Sequence, residues 1–131
     1  MKYNEISGKI IGVALKVHTK LGPGILESAY AAVLARELRK SGLRVQAEVP
    51  VPIEWDGEVI EVGFRADIIV EDALIVELKS VERLAPVHHK QLLTYLRLAD
   101  KRLGLLINFG EEHLMDGVVR IVNGFDDREN Q

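Results

Sequence analysis

At 131 residues, 47% hydrophobic and 28% charged, the chain is sized for a single soluble domain with one core. A formal net charge of −3 excludes the strongly basic character of a high-affinity, non-specific nucleic-acid binder, although a net count hides any local basic face. With no cysteine there are no disulfides and no thiolate metal sites, which fits a reducing cytoplasm, and no apolar run nears the ~20 residues of a membrane span.

Residues 1–125 are expected to form one domain and residues 126–131 a polar tail, and Met1 to Glu5 lacks a signal-peptide core. Ile6, Ile10, Val13, Ala14, Val17 and Leu21 recur at helical spacing, with Asn4 as N-cap and Gly22 as stop. Pro23 suits the first turn of a second helix, whose stripe is Leu26, Ala29, Tyr30, Val33, Leu34 and Leu38 and which Ser41-Gly42 ends. The period then changes to two. Leu43–Val51 is a strand that Pro50 and Pro52 push toward a sheet edge, and Ile53–Ile60 is a hairpin around Asp56-Gly57. Phe64–Val70 and Leu74–Ser80 are strands joined by the turn Glu71–Ala73. A helix runs from Pro86 to about Ala99. Leu103–Asn108 is a buried strand, and Asp116-Gly117 turns the chain into a last strand, Val118–Val122. The order α-α-β-β-β-β-α-β-β predicts an α/β fold with a mixed sheet flanked by helices. The helix after Ser80 is long enough to be a crossover between parallel strands.

Glu77 and Lys79 are two apart on a strand and share a face. A three-residue turn Glu71–Ala73 sets Asp67 opposite Glu77, Ile68 opposite Val76 and Val70 opposite Leu74, so one register yields an apolar face and a face with Asp67, Glu77 and Lys79. Two carboxylates held side by side by strands suit a hard cation, which polarises a phosphoryl oxygen and activates water. A nearby lysine orients that water or stabilises charge on the phosphate. The surrounding run, Leu74–Val81, is otherwise apolar, and charges there are costly unless paired or liganded.

Two further constellations admit two explanations each. Gly24, Glu27 and Tyr30 follow in steps of three along a helix. Glu27 also suits the dipole of a first turn, and Tyr30 suits a core. His88, Gln91 and Tyr95 share one side of the later helix, either toward substrate and Lys79 or toward water. His88 and His89 are adjacent and make a poor metal pair. Arg36, Arg39, Lys40 and Arg44, like Arg97, Lys101 and Arg102, complement helix C-termini or reach phosphate.

Taken together, Gly24-x-x-Glu27-x-x-Tyr30, Gly63-Phe64-Arg65-Ala66-Asp67, Val76-Glu77-Leu78-Lys79, Gln91-Leu92-Leu93-Thr94-Tyr95 and Gly104–Phe109 resemble the GxxExxY family of the PD-(D/E)xK nuclease superfamily and its RecB-type branch. The likeness spans about Leu21 to Asn123, with Ala66 where the motif's proline would stand. It implies a restriction-endonuclease-like fold and a Mg²⁺- or Mn²⁺-dependent nuclease acting on DNA or RNA. By the same likeness, Asp67, Glu77 and Glu27 would be metal ligands, Lys79 the catalytic lysine, and Gln91 and Tyr95 the support of the site, with Tyr30 and His88 toward substrate. A non-catalytic nucleic-acid- or protein-binding module on the same fold and a hydrolase of smaller phosphodiesters are the alternatives. The small, non-basic domain also leads to the expectation of a homodimer or larger assembly.

Overall fold

A computed structural model describes residues 1–124, so the expected polar tail lies outside the described residues. The helices are α1 (Tyr3–Leu21), α2 (Glu27–Lys40) and α3 (Pro86–Leu98). The strands are β1 (Val45–Pro50), β2 (Ile53–Trp55), β3 (Glu58–Ile60), β4 (Arg65–Val70), β5 (Leu74–Lys79), β6 (Leu103–Asn108) and β7 (Val118–Val122). A five-stranded mixed sheet has the order β1-β4-β5-β6-β7, while β2 and β3 pair only with each other. The α/β class is the expected one, and no described helix is long and apolar enough to cross a membrane.

Two helical layers cover the sheet. Ile6, Ile10, Ala14 and Val17 of α1 and Leu34 and Leu38 of α2 pack with Ile68, Val70, Val76 and Leu78. Leu92, Tyr95 and Leu96 of α3 pack on the other face with Ile69, Ile75 and Leu106. The crossover through α3 makes β5 and β6 parallel, with Val76 beside Leu105 and Glu77 beside Leu106. β5 and β6 are buried on both faces, which accounts for their unbroken apolar runs. β1 lies at the sheet edge, as its prolines imply.

Four boundaries differ from expectation by two residues or more, and β4 and β5 each fall short by one terminal residue, Phe64 and Ser80. Lys2, not Asn4, precedes the first helical residue, and Asn4 sits in the first turn, where its Oδ1 accepts a bond from Arg120. β1 spans Val45–Pro50, inside the expected Leu43–Val51. A 3₁₀ turn, Leu114–Gly117, precedes β7 where a tight turn was expected. The most consequential change is at α2, which begins at Glu27 and not at Pro23. Gly22 (φ +70°) and Gly24 (φ +100°) lie in the left-handed region, which cannot extend a right-handed helix. Gly24 therefore belongs to a loop and shares no helix face with Glu27 and Tyr30.

Candidate metal centre

β4 and β5 pair in the predicted register, Ile68 with Val76 and Val70 with Leu74. Their ladder ends there, and side chains take over. The Asp67 N–H donates to Glu77 Oε1 at 2.9 Å, and the Leu78 N–H donates to Asp67 Oδ2 at 2.8 Å. Each carboxylate thus spends one oxygen on the other strand's backbone and keeps one for another partner.

The same level of the sheet carries a second irregularity. β1 and β4 pair at Ala47–Ile68 and at Val49–Ala66, but not at Glu48, which faces Asp67. Glu48 has φ +50°, a left-handed conformation that is costly within a strand. Register is kept across the break, yet facing inverts. Val45 and Ile68 pack toward α1 and α2, whereas Val49 and Ala66, at even spacing along their strands, pack toward α3. Asp67 sits at that crossover. The inversion explains how it reaches Glu77 while also lining a cleft of about 560 Å³ with Glu27, Glu48 and Arg39, floored by alanines of α2.

Glu77 is 7% exposed. Burial, and then the adjacent Asp67 charge, raises its carboxyl pKa from 4.5 to about 8, while Lys79 pulls it the other way. The Tyr95 hydroxyl is also raised above its usual range, first by burial and then by Glu77. Gln91 Nε2 donates to that hydroxyl at 3.1 Å, and Phe64 packs on the Tyr95 ring at 5.8 Å between centroids. Asp67, Glu77, Lys79, Gln91 and Tyr95 therefore form one neighbourhood between β4, β5 and α3.

Glu27 is half-buried and lies on the α2 wall of the cleft that Asp67 also lines. Among the described residues, no three His, Asp or Glu side chains gather closely enough to hold a metal ion by themselves. The Asp67–Glu77 pair suits a hard divalent cation through its two remaining oxygens. A cation there would offset the repulsion that raises Glu77, with water completing its coordination.

Tyr30 and His88, the residues expected toward substrate, differ in exposure: Tyr30 is enclosed, and His88 is half-buried at the start of α3. Tyr30 is fully buried and stacks on Phe109 at 4.4 Å. Its hydroxyl donates to the Gly22 carbonyl and accepts the Ile25 N–H. Ser80 Oγ donates to the Ile25 carbonyl at 2.7 Å, tying the same loop to the end of β5. Gly24, Glu27 and Tyr30 thus make a loop-and-helix device: Gly24 permits the bend, Tyr30 pins it, and Glu27 opens the helix beside the cleft. His88 caps α3, its Nδ1 accepting the Ala85 N–H at 3.0 Å.

Other polar groups were missed at sequence level. Nothing in the residue type marks Glu48 for a left-handed backbone. Asn108 is fully buried, and its amide binds the Val81 N–H and carbonyl, closing the chain after β5. Several of the basic residues serve local structure: Arg44 bonds Glu71, Lys101 bonds Asp72, and the Arg39 guanidinium donates to the Val45 carbonyl at the sheet edge.

The sequence matches the family model described as the PD-(D/E)XK nuclease superfamily over residues 4–121. None of the curated proteins and none of the solved structures matches the chain.

Proposed function

Because the chain belongs to the PD-(D/E)XK nuclease superfamily, we propose that it is a divalent-metal-dependent phosphodiesterase acting on DNA or RNA. The observation that carries this proposal is the crossed bonding of Asp67 and Glu77 where the ladder ends, two carboxyl groups so close that Glu77 keeps its proton unless a cation replaces it. Asp67 and Glu77 would hold Mg²⁺ or Mn²⁺, with Glu27 on the α2 wall of the same cleft as a further ligand, and an ion bound there would supply Lewis acidity and a water of lowered pKa. Lys79, two residues beyond Glu77 on the same strand face, orients the attacking water and balances charge on the scissile phosphate. Gln91 and Tyr95 brace the site from α3, the Tyr95 hydroxyl staying protonated and able to donate. The specific relationship to GxxExxY proteins and the RecB-type branch belongs to this proposal, as does a cytoplasmic location.

The test pairs cleavage with metal binding. Wild-type protein cleaves DNA or RNA only with Mg²⁺ or Mn²⁺ present. Lys79→Ala abolishes cleavage, while Mn²⁺ binding by calorimetry stays within a fewfold of wild type. Asp67→Asn loses cleavage and Mn²⁺ binding together. Neither unfolds the protein: Asp67→Asn removes one of two crowded negative charges, and Lys79→Ala removes a half-buried cation whose loss Glu77 meets by keeping its proton. Metal-independent cleavage, or Mn²⁺ binding unaffected by Asp67→Asn, sinks the assignment. One observation favours a second reading, a non-catalytic binding module: only two carboxylates, and no third, are gathered at the centre among the described residues. Nucleic-acid binding without cleavage under any metal would select it.

A further inference from the structure

The β2–β3 hairpin is acidic and apolar, and the α1 side of the outer groove between α1 and α2 is basic and apolar. The hairpin pairs with no other strand. Isolated two-stranded hairpins are marginal in water unless something packs on them. From Pro52 to Phe64 the chain carries Glu54, Asp56, Glu58 and Glu61 and no Lys, Arg or His. Between these carboxylates stand Trp55 and Val59, each 66% exposed, with Ile60 and Val62 exposed beside them. None of the four carboxylates forms an ion pair among the described residues. This surface is unsuited to a polyanion, because four negative charges would face phosphate.

On α1, Lys9, Lys16 and Lys20 are exposed and form no ion pair among the described residues. They border a groove in which one cavity, about 230 Å³, has Val17, Leu21 and Val33 in its walls, with Glu37 and Lys40 paired to each other on the α2 side. Apolar walls beside the three unpaired lysines of α1 are the counterpart of an apolar ridge edged with carboxylates. The groove lining includes no hairpin residue, so among the described residues of one protomer the hairpin does not fill the groove.

We propose that the hairpin of one protomer seats in the α1–α2 groove of a second copy, with Trp55 entering the groove between Lys16 and Lys20. A reciprocal exchange gives a closed two-fold dimer with two identical contacts, whereas a one-way contact would build open chains. Desolvated aromatic anchors dominate such interfaces, and the charges set partner choice and salt dependence.

Trp55 is the only tryptophan, so its emission reports the contact directly. Sedimentation of the full chain should show a monomer–dimer equilibrium that high salt weakens, with Trp55 emission shifting to the blue as dimer forms. Glu54→Lys/Glu58→Lys and, separately, Lys16→Glu/Lys20→Glu should each raise the dissociation constant by about two orders of magnitude or more. Mixing the two variants should restore a dimer, since each reversed hairpin then meets a reversed groove. These exposed substitutions leave the fold intact, which circular dichroism checks. A monomeric wild type overturns the proposal. So does a dimer that survives both reversals, a mixture that stays monomeric, or a groove that binds an oligonucleotide while Trp55 emission is independent of concentration. None of these readouts depends on nuclease activity.

Discussion

Glu77 is held as a carboxylic acid at neutral pH by burial and by its neighbour, and this has a consequence for stability. Its folded pKa, about 8, lies above the unfolded value of 4.5. The folded state therefore binds the proton more tightly. The stabilisation is complete below 4.5 and is lost as pH rises through about 8. Chelator-treated protein is expected to lose melting temperature across that window, and Glu77→Gln should flatten the profile. Added Mn²⁺ should raise the melting temperature most at the alkaline end, where the carboxylate no longer has to shed a proton to bind it. Melts at a series of pH values with and without Mn²⁺ check this, and an alkaline-stable apoprotein would contradict it. Much of the site was readable from residue type and spacing. Glu77 and Lys79 stand out because charges in an apolar strand need a reason, and Asp67 follows from one turn length. Glu48 was not readable, since its role rests on a backbone conformation that no side chain announces. The bonds that Tyr30 and His88 make were not readable, because helical spacing gives direction around an axis and says nothing about a local hydroxyl or imidazole bond.

At the scale of elements, the loop from Gly22 to Leu26 sets where Glu27 stands. Tyr30→Phe keeps the stacking on Phe109 but removes both hydroxyl bonds to the loop. The expected cost is about 1 kcal/mol of stability. Metal affinity should fall several-fold as Glu27 loses its fixed position, whereas Tyr30→Phe in a purely packing role would leave Mn²⁺ titrations unchanged. The start of α2 was misread because Pro23 and Glu27 both imitate first-turn residues, and the left-handed glycines that forbid the helix look identical to ordinary ones in a string of letters. The β4–β5 register was legible because apolar and acidic faces can be satisfied together in only one way. A second test concerns the closure after β5. A Cβ on Gly110 would lie 2.2 Å from the Val81 carbonyl oxygen, a backbone atom that Asn108 already holds in place. Gly110→Ala should destabilise by about 3 kcal/mol, as overpacking of a rigid site does, measured by denaturant unfolding.

Over the described residues, charge is sorted into zones. Carboxylates occupy the Asp67 end of the cleft and the hairpin, the unpaired lysines of α1 border the α1–α2 groove, and Arg39 stands among the cleft walls with its guanidinium anchored on the Val45 carbonyl. A fixed guanidinium with unused donors suits a phosphate of a bound strand. Arg39→Ala should weaken substrate binding several-fold and lower the salt slope of binding by roughly one unit, with Mn²⁺ affinity unchanged. An unaltered slope would assign Arg39 to the sheet edge alone. A net charge of −3 concealed this sorting, because composition sums over surfaces that the fold keeps apart.

The inversion at Glu48 and Asp67 gives the sheet two allegiances. Before the break, the face of β1 and β4 that carries Val45, Ile68 and Val70 packs on α1 and α2, and past it Val49 and Ala66, at even spacing from them, pack on the layer of α3. Asp67 stands where ownership changes hands, with Glu27 of one layer beside the same cleft and Tyr95 of the other within reach of its charge. A cation held at Asp67 and Glu77 would therefore gauge the gap between layers: levering α2 or α3 away from the sheet would change its affinity even with no ligand touched.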